Sequence, residues 1–352
     1  MELNKRMRRN RQSETIRNMV QETQLQVSNF VLPLFLVDGK GVKSEVASLP
    51  GTFRWSADLL FHEIEECMNL GLKSFILFPS IAESFKDKTA SYSYHPDNYY
   101  LQLARDIKAR FPESCLISDV AMDPYSIDGH DGLVHKGKIA NDATLEILAK
   151  MSIAQAEAGF DILGPSDMMD GRVGFIRQAL DANNFTDTGI MAYTAKYASG
   201  LYGPFRDALD SAPREGDEIP KDKKTYQMNP ANGDEALREV AQDLQEGADM
   251  VMVKPGLPYL DVITRICQNF SVPKFAYQVS GEYSMIKAAG AQGWIDEQAA
   301  MEETLISLKP YVNSDVSGAS LENQTLHRET SNFFEDAEGF YIDVMGAAPN
   351  YT

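Results

Sequence analysis

Seven short apolar runs, each followed by a stretch with helical periodicity, limit what this chain can fold into more than any other feature. The runs span residues 30–36, 74–78, 115–122, 161–164, 189–195, 249–254 and 275–280. Most are nearly continuous in apolar residues, as strands buried on both faces are. Between them, residues 57–70 place Leu60, Ile64, Cys67 and Met68 on one helical face, with Ser56 as N-cap and Gly71 as a stop. Residues 141–158 and 235–246 repeat the pattern, the second through Leu237, Val240, Ala241 and Leu244. Parallel strands need long crossovers, and helices supply them. The reading is an α/β chain folded as a TIM (β/α)8 barrel, whose chemistry sits at the C-terminal ends of the strands. Seven strands are legible, and a closed barrel wants eight.

Two consecutive runs end in lysine: Ile190-Met-Ala-Tyr-Thr-Ala-Lys196 and Met250-Val-Met-Val-Lys254. A lysine closing a buried strand leaves its ammonium at the mouth of a low-dielectric site, where desolvation disfavours the charged form. On neighbouring strands about 4.8 Å apart, each ammonium further disfavours the other. A neutral amine beside a second amine suits carbonyl chemistry through a Schiff base. One such lysine reads more simply as a side chain reaching past the strand end to water. Two on consecutive strands favour the nucleophile.

The 352 residues fit one barrel of about 250 residues plus extensions. They divide into an N-terminal arm over 1–28, a catalytic barrel over 29–309 with a lid at 197–230, and a tail over 310–352. A formal charge of −18 disfavours nucleic acid or an anionic membrane as partner. No apolar stretch is long enough to span a bilayer, and the basic opening leads into no signal-peptide core. Cys67, Cys115 and Cys267 lie far apart and outside metal-ligand spacing. They point to a reducing compartment without disulfides: the cytoplasm, or a plastid if a transit peptide has been removed.

The connection after Lys196 breaks the rhythm. It carries Tyr202-Gly-Pro-Phe-Arg-Asp207 and Lys221-Asp-Lys-Lys-Thr-Tyr-Gln227 before the helical pattern resumes at Glu235. Long connections in compact domains are usually functional. Cations and aromatics directly after a candidate nucleophile read as an active-site lid. For Glu215-Gly-Asp-Glu-Ile-Pro220 a solvated insertion is the plainer reading.

Longer blocks add to this pattern: Gly164-Pro-Ser-Asp-Met-Met-Asp-Gly-Arg172, Ala195-Lys-Tyr-Ala-Ser199, Thr225-Tyr-Gln227, Gly247-Ala-Asp-Met-Val-Met-Val-Lys-Pro255 and Gln278-Val-Ser-Gly-Glu-Tyr283. With these blocks the chain resembles the porphobilinogen synthase (delta-aminolevulinic acid dehydratase) family. The resemblance implies a lyase that condenses two molecules of 5-aminolevulinate, with loss of water, to porphobilinogen for tetrapyrrole synthesis. It implies that Lys254 forms the Schiff base to the first substrate. Lys196 then engages the second, or keeps Lys254 deprotonated. The family's carboxylate clamp falls on Arg206 and Lys223, with Lys221 or Lys224 as alternatives to the latter. Ser280 takes the other carboxylate, and Asp119, Gln227 and Tyr277 line the substrate pocket.

Metal use follows from the same resemblance. Zinc-using members carry three cysteines ahead of and within Gly-His-x-Gly, where this chain has Ala121, Asp123 and Asp131. Thiolates that favour zinc are replaced by oxygens that favour magnesium or water, so no catalytic zinc is expected. Asp123 and Asp131 read either as ligands of a weakly held magnesium or potassium ion or as solvated loop carboxylates. Glu239 matches the glutamate tied to an allosteric magnesium. The basic arm, with Lys5, Arg6, Arg8, Arg9, Arg11 and Arg17 against Glu14, matches a segment that wraps a neighbouring barrel in a homo-octamer.

The resemblance ends near Lys309. There the family closes its barrel with a strand whose tyrosine shares a substrate carboxylate with Ser280. This chain instead continues Lys309-Pro-Tyr-Val-Asn-Ser-Asp-Val316 and stays polar as far as Gly339-Phe-Tyr-Ile-Asp-Val-Met345. An open sheet edge exposes ladder groups, so something must cover it. Residues 340–345 are the tail segment with strand character, and Tyr341 is the candidate replacement tyrosine. Two other readings stand beside the leading one. A class I aldolase-type barrel explains Lys254 but not the second lysine. An inactive, regulatory subunit draws on the altered tail, against the intact lysines.

Overall fold

The structure, a computed structural model, describes residues 4–312 and 343–346. Within the arm, α1 (Glu14–Met19) begins at Ser13, whose Oγ accepts from the Ile16 N–H at 3.2 Å. The barrel strands are β1 (Phe30–Val37), β2 (Ser74–Ser80), β3 (Cys115–Val120), β4 (Ile162–Pro165), β5 (Gly189–Lys196), β6 (Met250–Lys254), β7 (Lys274–Ala276) and β8 (Asp343–Gly346). The first seven pair in order and in parallel, through registers such as Leu32↔Phe75 and Ile117↔Ile162. Every run read from the sequence is a strand, displaced by a few residues at its ends.

The tail closes the barrel, and it does so in reverse. β8 pairs antiparallel with β7, Phe275↔Met345, and antiparallel with β1, Phe30↔Val344. Either direction supplies the N–H and C=O partners that the edges of β1 and β7 need. The segment expected to cover the edge is therefore the one that does. Tyr341 and the rest of the tail lie outside the described residues.

Helices α2 (Ala57–Asn69), α3 (Tyr99–Arg110), α4 (Asn141–Glu157), α5 (Arg172–Ala182), α6 (Gly203–Leu209), α7 (Gly233–Glu246), α8 (Leu260–Asn269), α9 (Ser280–Ala291) and α10 (Glu297–Val312) fill the connections. Ser56 occupies the N-cap position of α2, but its hydroxyl does not cap the helix. It accepts from the Val42 N–H and donates to Asp58 instead. No helix among the described residues is long and apolar enough to cross a membrane.

Strand alternation sorts the core into two layers. Val31, Phe35, Ile76, Phe78, Met191 and Met252 fill the barrel interior. Leu32, Leu34, Phe75, Leu77, Val251 and Val253 pack outward against helix residues such as Ile64, Ile147 and Val240. Each fully buried side chain of this size contributes about 1.5–3 kcal/mol. A rigid wall results, and the strand ends stand on it.

Candidate active site

Lys196 and Lys254 are direct partners across β5 and β6. Neighbouring strands place them side by side at the C-terminal mouth, 7% and 5% exposed. Strict alternation would have kept Lys196 out of that mouth. Tyr193 faces inward, so a regular strand would point Ala195 inward and Lys196 toward the helices. Instead the register runs from Val251↔Ala192 to Val253↔Ala195, which leaves one extra residue in β5. Such a bulge re-aims every side chain beyond it. Ala195 accordingly packs in the outer layer, and Lys196 joins Lys254. The bulge is held from outside the barrel. Arg172 donates to the Tyr193 carbonyl at 3.3 Å and to both oxygens of Asp243 at 3.3 and 3.4 Å.

The two lysines stand in different surroundings. Lys254 Nζ lies over the rings of Tyr277, Phe205, Tyr193 and Tyr202, at 3.7, 4.7, 5.2 and 5.7 Å from their centroids. Lys196 donates to the Ser166 carbonyl and lies 3.8 Å from Asp131. Beside them Asp119 accepts from Ser166 Oγ at 2.6 Å. Burial and the nearby Asp123 push the Asp119 carboxyl up to about 6, against the pull of Lys196, Ser166 and Lys254.

Asp123 and Asp131 are not solvated, contrary to one of the two expectations for them. They are 6% and 1% exposed, and Lys223 Nζ sits between them at 3.1 and 3.2 Å. Burial holds Asp123 above the ordinary carboxylate range despite Lys223. Burial acts on Asp131 too, but Lys196 and Lys223 together hold it well below that range. Burial opposes the Lys223 charge, yet the two aspartates outweigh it and raise the ammonium above the usual lysine value. A buried cation already fills the space between the two carboxylates, so this donor set does not fit a metal ion.

The connection at 197–230 covers the mouth. Arg206, on α6, lines the cavity with Lys223, Gln227 and both strand-end lysines. Its guanidinium makes no hydrogen bond or ion pair with a side chain among the described residues. Ser280 opens α9, where its Oγ accepts from the Phe205 N–H at 3.0 Å and donates to the Leu201 carbonyl at 3.3 Å. The next residue must be glycine, because a Cβ at Gly281 would stand 2.6 Å from that carbonyl. On the far side His130 bridges Tyr226 Oη at 3.0 Å and the Pro220 carbonyl at 2.8 Å. Burial holds its imidazole below the usual histidine value. The middle of the covering segment is pinned electrostatically: Lys86 reaches Glu83 and Asp210, and Arg214 reaches the same two carboxylates. The cavity between these residues, partly open to solvent, has a volume of about 30 Å³, room for about one water.

A family model described as delta-aminolevulinic acid dehydratase matches residues 4–311. The delta-aminolevulinic acid dehydratase of Bradyrhizobium diazoefficiens is 51% identical over 304 residues, 86% of this chain and 85% of that protein. That of Chlamydia pneumoniae is 49% identical over 307 residues, covering 87% and 91%. This chain belongs to the delta-aminolevulinic acid dehydratase family. A solved relative is the Toxoplasma gondii enzyme (porphobilinogen synthase) in complex with the reaction product porphobilinogen. It superposes with a TM-score of 0.86 at 43% identity, covering 99% of this chain and 96% of its own. That superposition runs past the end of the family match.

Delta-aminolevulinic acid dehydratases are in general metal-dependent. Thiolate ligands are absent from the mouth here: Cys115 starts β3 at the opposite end of the barrel, and Cys67 and Cys267 lie on α2 and α8. Glu239 lies on α7 beside a separate cleft of about 470 Å³, lined also by Asn141, Asp170, Asn229, Asn232 and Glu235. Burial raises its carboxyl despite Arg172. These are hard oxygen donors, but no three carboxylate, histidine or cysteine groups among the described residues converge on one point. Such a set suits magnesium, which keeps several waters and takes only one or two carboxylates. Gln227 lines both this cleft and the cavity at the strand-end lysines.

Eight residues singled out from the sequence thus meet at the mouth: Lys196, Lys254, Arg206, Lys223, Gln227, Asp119, Asp123 and Asp131. Tyr277 stacks over Lys254, Ser280 anchors the cover, and Glu239 stands apart. Sequence reasoning passed over Tyr193, Tyr202, Phe205 and Ser166. All four sit inside the runs and blocks that point to the site, at positions with no local mark of their own.

Proposed function

We propose that this chain condenses two molecules of 5-aminolevulinate to porphobilinogen, with loss of water, and that Lys254 is the amine that forms the covalent Schiff base. The observation that carries this reading is the direct pairing of Lys254 with Lys196 at the barrel mouth, with one lysine over aromatic faces and the other beside an aspartate. Lys254 Nζ attacks the ketone carbon of the first substrate; imine formation expels water. The four surrounding rings keep bulk water off the imine and offer faces to the cationic form. Lys196, held by Ser166 and Asp131, is the fixed cation beside it and the contact for the second substrate.

Asp119, whose carboxyl is pushed up to about 6 by burial, lines the same cavity as both lysines, which suits a group that takes up and returns protons during the condensation. Arg206 is the substrate-carboxylate clamp, since its guanidinium faces the cavity without a competing ion pair. Lys223 lies on the same wall, but its charge is spent on Asp123 and Asp131. Ser280, at the first turn of α9, suits the other carboxylate. Tyr277 and Gln227 line the bound substrates. Residues 197–230 contribute Tyr202, Phe205, Arg206, Lys223 and Gln227 to the cavity lining and act as a lid over the bound substrates.

Magnesium, when bound, would sit at Glu239 with water filling most of its shell, stabilising the assembly rather than taking part at the lysines. The basic arm would join copies of the chain into a homo-octamer. Work in the cytoplasm fits this chain, and the plastid is the alternative. Among the three readings of the sequence, family membership supports the synthase over the aldolase, and the intact pairing of Lys196 with Lys254 supports it over the inactive subunit. Lys254→Ala tests the assignment: turnover should fall to background while the fold is kept. Substantial porphobilinogen formation by that variant would remove it.

A further inference from the structure

We propose that Glu282 is a positioning residue for Lys254, its buried carboxylate tying the turn that leaves Lys254 to the turn that carries Tyr277 and Ser280. The inference rests on the reading of Lys254 as the Schiff-base lysine. A glutamate three residues beyond the N-cap ordinarily reaches back to the N-cap N–H and goes no further. Glu282 does this, accepting from the Val279 N–H at 2.6 Å. The same carboxylate also leaves its own helix. Oε1 accepts from the Leu257 N–H at 2.8 Å, and Oε2 lies 3.4 Å from the Gly256 nitrogen. Those donors are the second and third residues after Lys254.

Local capping does not require burial, yet Glu282 is 1% exposed. Among the described residues no ion pair neutralises it. Burial pushes its carboxyl up to about 7, even against three backbone N–H groups. A buried carboxylate is costly unless its hydrogen bonds answer, and a surface cap would avoid that cost. What the buried position supplies is reach across two loops. One loop carries the amine. The other carries Tyr277, whose ring centroid lies 3.7 Å from Lys254 Nζ. The carboxylate therefore sets the spacing between the nucleophile and the face it rests on. Misplacement of a reacting group by about 1 Å costs on the order of 100-fold in rate.

The test is Glu282→Gln in the full chain, with 5-aminolevulinate as probe. The amide keeps the shape but turns an NH2 toward backbone donors. We expect borohydride trapping of substrate on Lys254 to slow by about 100-fold, with kcat falling in step, KM little changed and the circular dichroism spectrum intact. Glu282→Asp keeps the charge on an arm too short to span both loops. It carries the test if the glutamine variant does not fold, and should slow trapping in the same sense. A folded variant that traps at the wild-type rate, whatever its thermal stability, overturns the inference and leaves Lys254 as it stands. Wild-type trapping on a different residue overturns the reading of Lys254, and this inference with it.

Discussion

Lys223→Met separates a structural cation from a substrate clamp. In the native protein Lys223 is 5% exposed and pairs with Asp123 at 3.1 Å and Asp131 at 3.2 Å. Methionine fills similar space without charge. Asp131 would keep Lys196 at 3.8 Å, but Asp123 would have no cation within 4 Å among the described residues. Removing one partner of a buried pair costs about 3–5 kcal/mol. Asp123 already sits above the ordinary carboxylate range and can escape by taking a proton, so the low end, about 3 kcal/mol, is the expectation.

The pH dependence follows from the two shifts. The folded Asp131 carboxyl lies below its ordinary 3.8, so its contribution is full above that value and fades as pH falls through the folded one. The folded Lys223 ammonium lies above its ordinary 10.5, so its contribution is full below 10.5 and fades as pH rises further. The gap between wild type and variant should thus narrow above 10.5 as the ammonium is lost, and narrow on the acid side, first as the variant's Asp123 takes up its proton and then as pH falls through the folded Asp131 value. Urea midpoints followed by circular dichroism measure it. Adding Asp123→Asn to the variant should recover most of the loss. A loss below about 1 kcal/mol, joined to a large rise in KM, would refute this reasoning and place Lys223 on the substrate.

Asp119 should appear in the pH–rate profile. With its carboxyl near 6, porphobilinogen formation should rise as pH passes through about 6, and Asp119→Asn should lose that inflection. A zinc-selective chelator should leave activity largely intact, whereas removing magnesium should lower activity or change assembly; tightly held stoichiometric zinc in the purified protein would contradict the donor set. Deleting residues 1–12 should reduce both particle size by light scattering and activity, and a truncated protein of full size and activity would leave the arm without a role.

Much of the barrel was legible because buried parallel strands are written as continuous apolar runs between amphipathic ones. The seven runs, a lysine at the end of two consecutive ones, and the candidate cover at 340–345 follow from that writing. The direction of β8 does not, because a short apolar segment satisfies an edge either way round. The Lys196 geometry was illegible for a different reason. Alternation from Tyr193 sends Lys196 outward, and the bulge that reverses it depends on Arg172 and Asp243, neither near in sequence. Neither reading of Asp123 and Asp131, as ion ligands or as solvated carboxylates, anticipates Lys223 between them, because nothing local in the sequence reveals it. Glu282 looks like half of a capping box until its second loop is visible.

The central claim is that Lys254 is the amine that becomes covalent. Reducing the full-length protein with borohydride in the presence of 5-aminolevulinate, then mapping the adduct by peptide mass spectrometry, tests it most directly. The account predicts substrate mass on the peptide bearing Lys254, and none there in Lys254→Ala. An adduct confined to Lys196, or no adduct in an enzyme that still makes porphobilinogen, would contradict it.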